Sequence, residues 1–220
     1  MKKLLLLIAV ITLMSSFTPV FAKTDSEKVL AKLKKNQDFE YVFNGSIDKV
    51  RNLMANLSMN YPQYYVKYQK SYSWDDTTVK YSFKLSEDGI RTSRKLAKVM
   101  NPILRGAKKK KGIRAKVKYI DAKICKRCKY DYKTYKTGQL GTDSFTIYGC
   151  LVNKKAVCSG YTMAFQALAT QSKIKSKVVE GKNHSWNKVK VGKKWYHVDV
   201  CWNDTSGTKD YLLKKKHKKC

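Results

Sequence analysis

Apolar residues recur along this chain with two periods, and the changes between them mark out its elements. Residues 24–35 open on a capping threonine, Thr24, and carry Val29, Leu30 and Leu33, a spacing that predicts a short helix. Val50, Leu53, Met54 and Leu57 repeat that spacing over residues 47–59 and predict a second helix. Pro62 should stop it, because the proline ring disfavours helical geometry in the residue before it. Residues 64–72 and 77–85, rich in Tyr, Val and Phe, read as two strands divided by Trp74-Asp75-Asp76. Helical patterns return over residues 90–104 and 113–126, followed by Tyr130-Asp131-Tyr132 and a polar, glycine-containing loop at residues 137–144.

Beyond that loop the pattern places chemistry on regular elements. Tyr161, Ala164, Phe165 and Leu168 fall at helical intervals from Cys158, so residues 158–171 should form an amphipathic helix with a cysteine in its first turn. Unpaired N–H groups and the positive end of the helix dipole favour a thiolate there. Gly160 suits a first turn that another part of the chain approaches closely. Residues 177–180 then read as a short strand, and residues 184–191 and 194–202 as a pair of strands joined by the two-residue turn Gly192-Lys193. Pairing about that turn sets Trp186 opposite Asp199 and His184 opposite Cys201; a slip of two residues sets His184 opposite Asp199. In both registers His184 and Asp199 share a face, because side chains alternate with period two. Diagonal neighbours on such a face lie roughly 7–8 Å apart at Cα, within reach of an imidazole and a carboxylate.

The N-terminus has a different character. Met1 to Lys3 form a basic segment, residues 4–14 an apolar core too short to span a bilayer, and Val20-Phe21-Ala22 a small-residue cleavage pattern. Residues 1–22 therefore read as a signal peptide, which predicts a secreted or cell-surface protein with no integral membrane span after cleavage. The mature chain divides into an N-terminal helical and aromatic strand region, residues 23–105, and a core, residues 106–220.

Charge adds a partner class. Lysine and arginine number 47 against 16 acidic residues, a formal net charge of +31, of which Lys2 and Lys3 leave with the signal peptide. Such an excess favours polyanions, and for an exported protein these include anionic cell-wall polymers and lipid headgroups. No zinc-finger or RNP motif is present, so nucleic acid is not indicated. An ordinary solvated face in a lysine-rich chain is the competing explanation.

The six cysteines are Cys125, Cys128, Cys150, Cys158, Cys201 and Cys220. Cys125-Lys126-Arg127-Cys128 has the spacing of zinc sites and redox dithiols, but no second such pair or nearby histidine pair completes a tetrahedral site. These two read as incidental thiols on a helix, and no metal is expected. Among the other histidines, His197 shares the parity of Asp199 and reads as structural, while His217 lies in the basic tail and reads as solvated.

The order of helix-borne Cys158, strand-borne His184 and strand-borne Asp199, within "AVCSGYTMAF", "NHSWNKV" and "WYHVDVCWND", resembles the transglutaminase-like superfamily, in particular its secreted bacterial members. The resemblance extends over about residues 113–213 and includes "KYDY" and "YGCLV". It implies an α+β fold with a papain-like core, in which the nucleophile helix packs on an antiparallel sheet. It implies Cys158 as nucleophile, His184 as base and Asp199 as the acid that orients the ring. The N–H of Cys158 is one oxyanion donor, and a second is expected near Tyr148. Cys150 stands where the family pattern suggests a small residue and Cys201 where it suggests threonine. The implied activity is acyl transfer from a carboxamide or peptide carbonyl of a protein or peptide substrate through a thioester, without a cofactor. The alternative is a noncatalytic cationic module that binds anionic wall or membrane polymers.

Overall fold

A computed structural model describes residues 24–75, 77–138 and 142–217. The signal-peptide segment and Cys220 lie outside the described residues. Among those described, no helix is long and apolar enough to cross a membrane.

Helix α1 (Asp25–Lys34) begins where the pattern placed it: Thr24 accepts from the Glu27 N–H and Glu27 returns a bond to the Thr24 N–H, a reciprocal capping box. Strand β1 (Phe39–Asn44) follows, with Phe39 and Phe43 buried on one face, and helix α2 (Ile47–Asn60) buries Val50, Met54 and Leu57. Pro62 does more than end α2. It opens a one-turn helix, α3 (Pro62–Tyr65), because a proline in the first turn has no N–H to leave unpaired. The expected strand at 64–72 is thereby displaced to β2 (Tyr68–Trp74), which pairs with β3 (Thr78–Leu85). Alternation in β3 turns Val79, Tyr81 and Phe83 inward, and the three strands form an antiparallel sheet in the order β1-β3-β2.

Helices α4 (Glu87–Lys108) and α5 (Ile113–Arg127) lead into a two-residue strand β4 (Lys129–Tyr130) and a short helix α6 (Tyr132–Thr137). A 3-10 turn at Asp143–Phe145, a π-helical turn at Gly149–Asn153 and strand β5 (Lys155–Ala156) then deliver the chain to helix α7 (Cys158–Gln171). Strands β6 (Ser176–Glu180), β7 (Ser185–Val191), β8 (Lys194–Val198) and β9 (Leu212–Lys214) make a second antiparallel sheet in that order, with α8 (Val200–Thr205) between its last two strands. The fold is α+β, with α7 packed on β6 and β7.

Two apolar clusters result. One gathers α1, α2 and the first sheet around Leu33, Leu57 and Phe83; the other gathers α4, α5, α7 and the second sheet around Ile120, Phe165 and Leu168. Helix α4 runs through position 105, and its Leu96, Met100 and Ile103 belong to the second cluster. Helix α7 is buried on more than the one apolar face that its amphipathic pattern marked. It is the central helix, with Tyr161, Ala164, Phe165 and Leu168 fully buried and Thr162 and Gln166 buried as well. Burial of a Phe or Leu side chain contributes roughly 1.5–3 kcal/mol, so this helix anchors the second core. Its buried polar side chains are paired: Thr162 donates to the Ser185 carbonyl at 2.9 Å, and Gln166 donates to Asn60 Oδ1 at 3.1 Å.

Candidate active site

Cys158 occupies the first turn of α7, after Val157 in extended conformation, and is half-buried. The chain before the helix is held close to it. Val157 donates to the Ser144 carbonyl at 3.0 Å, and Ser159 Oγ to the Phe145 carbonyl at 3.2 Å. Gly160 is required by this approach: a Cβ there would lie 2.7 Å from the Ser144 carbonyl oxygen and 2.9 Å from that of Thr146. Tyr148, near which a second oxyanion donor was expected, leads into the π-helical turn and packs against the second core.

His184 sits one residue before β7. The β7–β8 hairpin pairs Asn187 with Val198 and Val191 with Lys194, so of the two expected registers the one facing Trp186 toward Asp199 is adopted. The second strand stops earlier than its pattern suggested. Residues 194–202 are not one strand, because Asp199 ends β8 and caps α8, its Oδ1 accepting from the Trp202 N–H at 3.0 Å. Its Oδ2 meets His184 Nε2 at 2.6 Å. One carboxylate thus starts a helix with one oxygen and orients an imidazole with the other. Asp199 is fully buried, and its backbone N–H is tied to the Tyr211 carbonyl at 3.0 Å.

Electrostatics completes the arrangement. Burial pulls the His184 pKa down, but hydrogen bonds and charges from Asp199 and Cys158 outweigh it and hold the value up at about 9. Burial likewise raises the Cys158 pKa, and hydrogen bonds from His184 and from the Ser185 N–H outweigh it, leaving the thiol below its ordinary value. The three sequence-expected residues are therefore brought together, with the pKa values of Cys158 and His184 moved toward a thiolate and an imidazolium. Cys201 differs. It is buried in α8, and burial, with the charges of Asp199 and Cys158, pushes its thiol far above the ordinary range.

The remaining histidines and cysteines have other roles. His197 is buried and structural: the Trp186 Nε1–H donates to its Nδ1 at 2.7 Å. His217 is not a solvated tail residue. Its side chain is only 3% exposed, and its Nε2 lies 3.0 Å from Asp199 Oδ2, the oxygen that also binds His184. The tail after β9 folds back over the hairpin, where the ring packs on Trp186 and Trp202 with centroids 4.3 and 4.6 Å apart. Charge alone marked those residues as solvent-facing, and no local periodicity signals a fold-back. Cys125 and Cys128 engage different partners: the Cys125 thiol donates to the Val200 carbonyl at 3.7 Å, whereas that of Cys128 donates to the Lys129 carbonyl at 3.7 Å. The five described cysteines are thiols.

Among the described residues, the cluster able to hold a metal ion is His184, Asp199 and His217, whose ligating atoms lie within 4.8 Å of one another. The hydrogen bonds of both imidazoles to Asp199 Oδ2 account for that proximity.

Residues 97–200 match the family described as the transglutaminase-like superfamily. No protein of curated function matches the chain. Among solved structures, the chain is similar to one described as a TGase, with 14% identity, a TM-score of 0.42, and coverage of 88% of this chain and 60% of that one. It is also similar to a protein described as a "Putative Cysteine Protease" from Cytophaga hutchinsonii, with 13% identity, a TM-score of 0.38, and coverage of 76% of this chain and 67% of that one.

Proposed function

We propose, from the match of residues 97–200 to the transglutaminase-like superfamily, that this chain is an exported cysteine acyl-transfer enzyme that works through a Cys158-His184-Asp199 triad carried by residues 106–220. The observation that carries the reading is the 2.6 Å bond between His184 Nε2 and Asp199 Oδ2, with the thiol of Cys158 lowered by the same imidazole. His184 Nδ1 is then the nitrogen that exchanges a proton with the sulfur. The Cys158 thiolate attacks the carbonyl carbon of a carboxamide or peptide. Negative charge gathers on the carbonyl oxygen beside the first-turn N–H groups of α7, and His184 gives its proton to the leaving amine. The resulting thioester is opened by a substrate amine or by water, whose proton returns to His184, and the thiolate is released. The products are a crosslink in one case and a hydrolysed carbonyl in the other.

Iodoacetamide labelling tests the nucleophile. With His184 protonated up to about pH 9 and the thiol below its ordinary value, Cys158 should be alkylated rapidly at neutral pH. Cys158→Ala should abolish that label, located by peptide mass spectrometry. Labelling that is undiminished in the variant, or slow until alkaline pH in the wild type, would remove the basis for the enzyme. Mass spectrometry after incubation with amine-donor and peptide libraries then identifies the acceptor.

A second reading, the noncatalytic cationic binder, is favoured by one observation. A groove of about 690 Å³ between α4, α5 and the π-helical turn is lined by Lys95, Lys98, Lys123, Lys126, Arg127 and Lys154 together with Val99, Pro102, Ile103 and Val152, and by no acidic residue. None of these belongs to the triad, and the groove suits a polyanion whatever the chemistry at Cys158.

A further inference from the structure

We propose that His217 is a positioning residue: through its hydrogen bond to Asp199 it holds the carboxylate against His184 and closes the His184–Asp199 bond to water. This inference rests on the reading of Cys158 as a nucleophile served by that pair.

The first support is the saturation of the carboxylate. Asp199 Oδ1 accepts from the Trp202 N–H at 3.0 Å, and Oδ2 accepts from His184 at 2.6 Å and from His217 at 3.0 Å. A carboxylate oxygen has two lone pairs, so both imidazoles can be served together, and the carboxylate is fixed from three sides. Without His217, the second lone pair of Oδ2 would be left to water, which competes for the bond to His184.

Packing is the second support. The rings of His217, Trp202 and His184 lie nearly parallel: His217 is 4.6 Å from Trp202 at 27°, and His184 is 4.6 Å from Trp202 at 11°. Trp186 lies 4.3 Å from His217 at 17°. Yet the other nitrogen of His217, Nδ1, is buried and has no hydrogen-bond partner among the described residues. A polar atom is held out of water here, and the Asp199 bond is what the ring gains in return.

The arm is also rooted beside the residue it touches. β9 pairs Leu212 with Val198, the residue before Asp199, and the Asp199 N–H donates to the Tyr211 carbonyl at 3.0 Å. The backbone and the side chain of Asp199 are thus both tied to the C-terminal segment.

Other titratable groups around the cluster are Cys158 on α7, Asp121 on α5, Tyr130 on β4, Lys188 on β7, His197 on β8, Cys201 on α8 and Tyr211 before β9. His197 is held neutral, pushed down to about 4 by burial and by the charges of Lys188 and His217. Cys201 is held as a thiol. All of them are common to the wild type and to variants at position 217.

The test is the pH dependence of Cys158 alkylation by iodoacetamide in the full-length protein, comparing wild type with His217→Ala, His217→Gln and His217→Phe. Glutamine can restore an N–H donor to Oδ2, whereas phenylalanine keeps the stacked ring without the donor. In His217→Ala and His217→Phe the midpoint of the rate profile should rise by about one pH unit, so that the rate below the midpoint falls about tenfold. His217→Gln should recover at least half of that shift. A wild-type midpoint in His217→Ala, or in a folded His217→Phe, would overturn the role, the latter because bulk alone would then suffice. Should the alanine variant fail to fold, the glutamine and phenylalanine variants decide in the same way. The two readings fail separately. A wild-type midpoint near that of a free thiol, about 8.5, removes the nucleophile itself. An activated wild type with unshifted variants removes only the part assigned to His217.

Discussion

Asp199 and His197 lie two positions apart on either side of Val198, both are buried, and their hydrogen bonds run in different senses. Asp199 is surrounded by donors, which suit an anion. His197 accepts the Trp186 N–H on Nδ1, which suits only a neutral ring. Burial, with Lys188 and His217 nearby, brings its pKa down from 6.5 to about 4. The consequence for stability has a definite sign. Between those values the unfolded chain binds a proton at this site and the folded chain does not. Stability from His197 is therefore full above pH 6.5 and is lost as the pH falls toward 4. The loss is at most about 3 kcal/mol. Urea unfolding at a series of pH values should show the wild type losing up to that much more than His197→Gln, whose side-chain oxygen can still accept from Trp186. Parallel slopes for the two proteins would contradict this account.

At the scale of elements, the helix that carries the cysteine depends on a contact that only glycine permits. Two carbonyl oxygens, of Ser144 and Thr146, lie within 3 Å of where a Gly160 Cβ would stand. Backbone cannot move aside as a flexible side chain can. Gly160→Ala should therefore cost about 1–3 kcal/mol in stability by denaturant titration, and should slow Cys158 alkylation because the first turn shifts. Full stability with full reactivity would show that the loop yields freely. This contact was legible in the sequence, as was the helix from Cys158 to Gln171, because a four-turn apolar pattern outweighs local ambiguity. The hairpin and its Gly192-Lys193 turn were also legible, but the register was not: two stood open, and the structure adopts the one that pairs about the turn. The end of β8 was not legible either. Tyr196, Val198 and Val200 continue the alternation, and what stops the strand is a cap bond from Asp199 to Trp202 that no periodicity reports. Nor was β1 anticipated, although Phe39, Tyr41 and Phe43 alternate. His217 was out of reach for another reason: its burial depends on a partner surface made by residues from both strands of the hairpin and from α8.

For the whole molecule, amides bridge the elements of the two apolar clusters. Asn60 at the end of α2 accepts through Oδ1 from Gln166 at 3.1 Å and from Thr170 at 2.9 Å, and through its carbonyl from Gln171 at 2.8 Å. Gln63 donates to Gln171 at 2.7 Å. On the other side of α7, Asn187 of β7 donates to the Thr162 carbonyl at 3.3 Å and to Gln166 Oε1 at 3.4 Å, so Gln166 is held from both layers. Asn60→Ala would take one of two acceptors from the buried Gln166 amide and the acceptor of the half-buried Thr170 hydroxyl, at about 1–3 kcal/mol for a buried donor left unsatisfied. A double-mutant cycle with Gln166→Ala should return a coupling energy above about 0.5 kcal/mol. Strict additivity would mean that the bond is not made in solution.

That bridge bears on what could be cut away. A shortened version starting at residue 97, where the family likeness begins, would strip Asn60 and Gln63 from the spine that presents the reactive sulfur. Of the buried apolar residues in the second cluster it would lose only Leu96. What would be missing is the set of keys that fixes how that spine is rotated, and with it the direction in which the sulfur points.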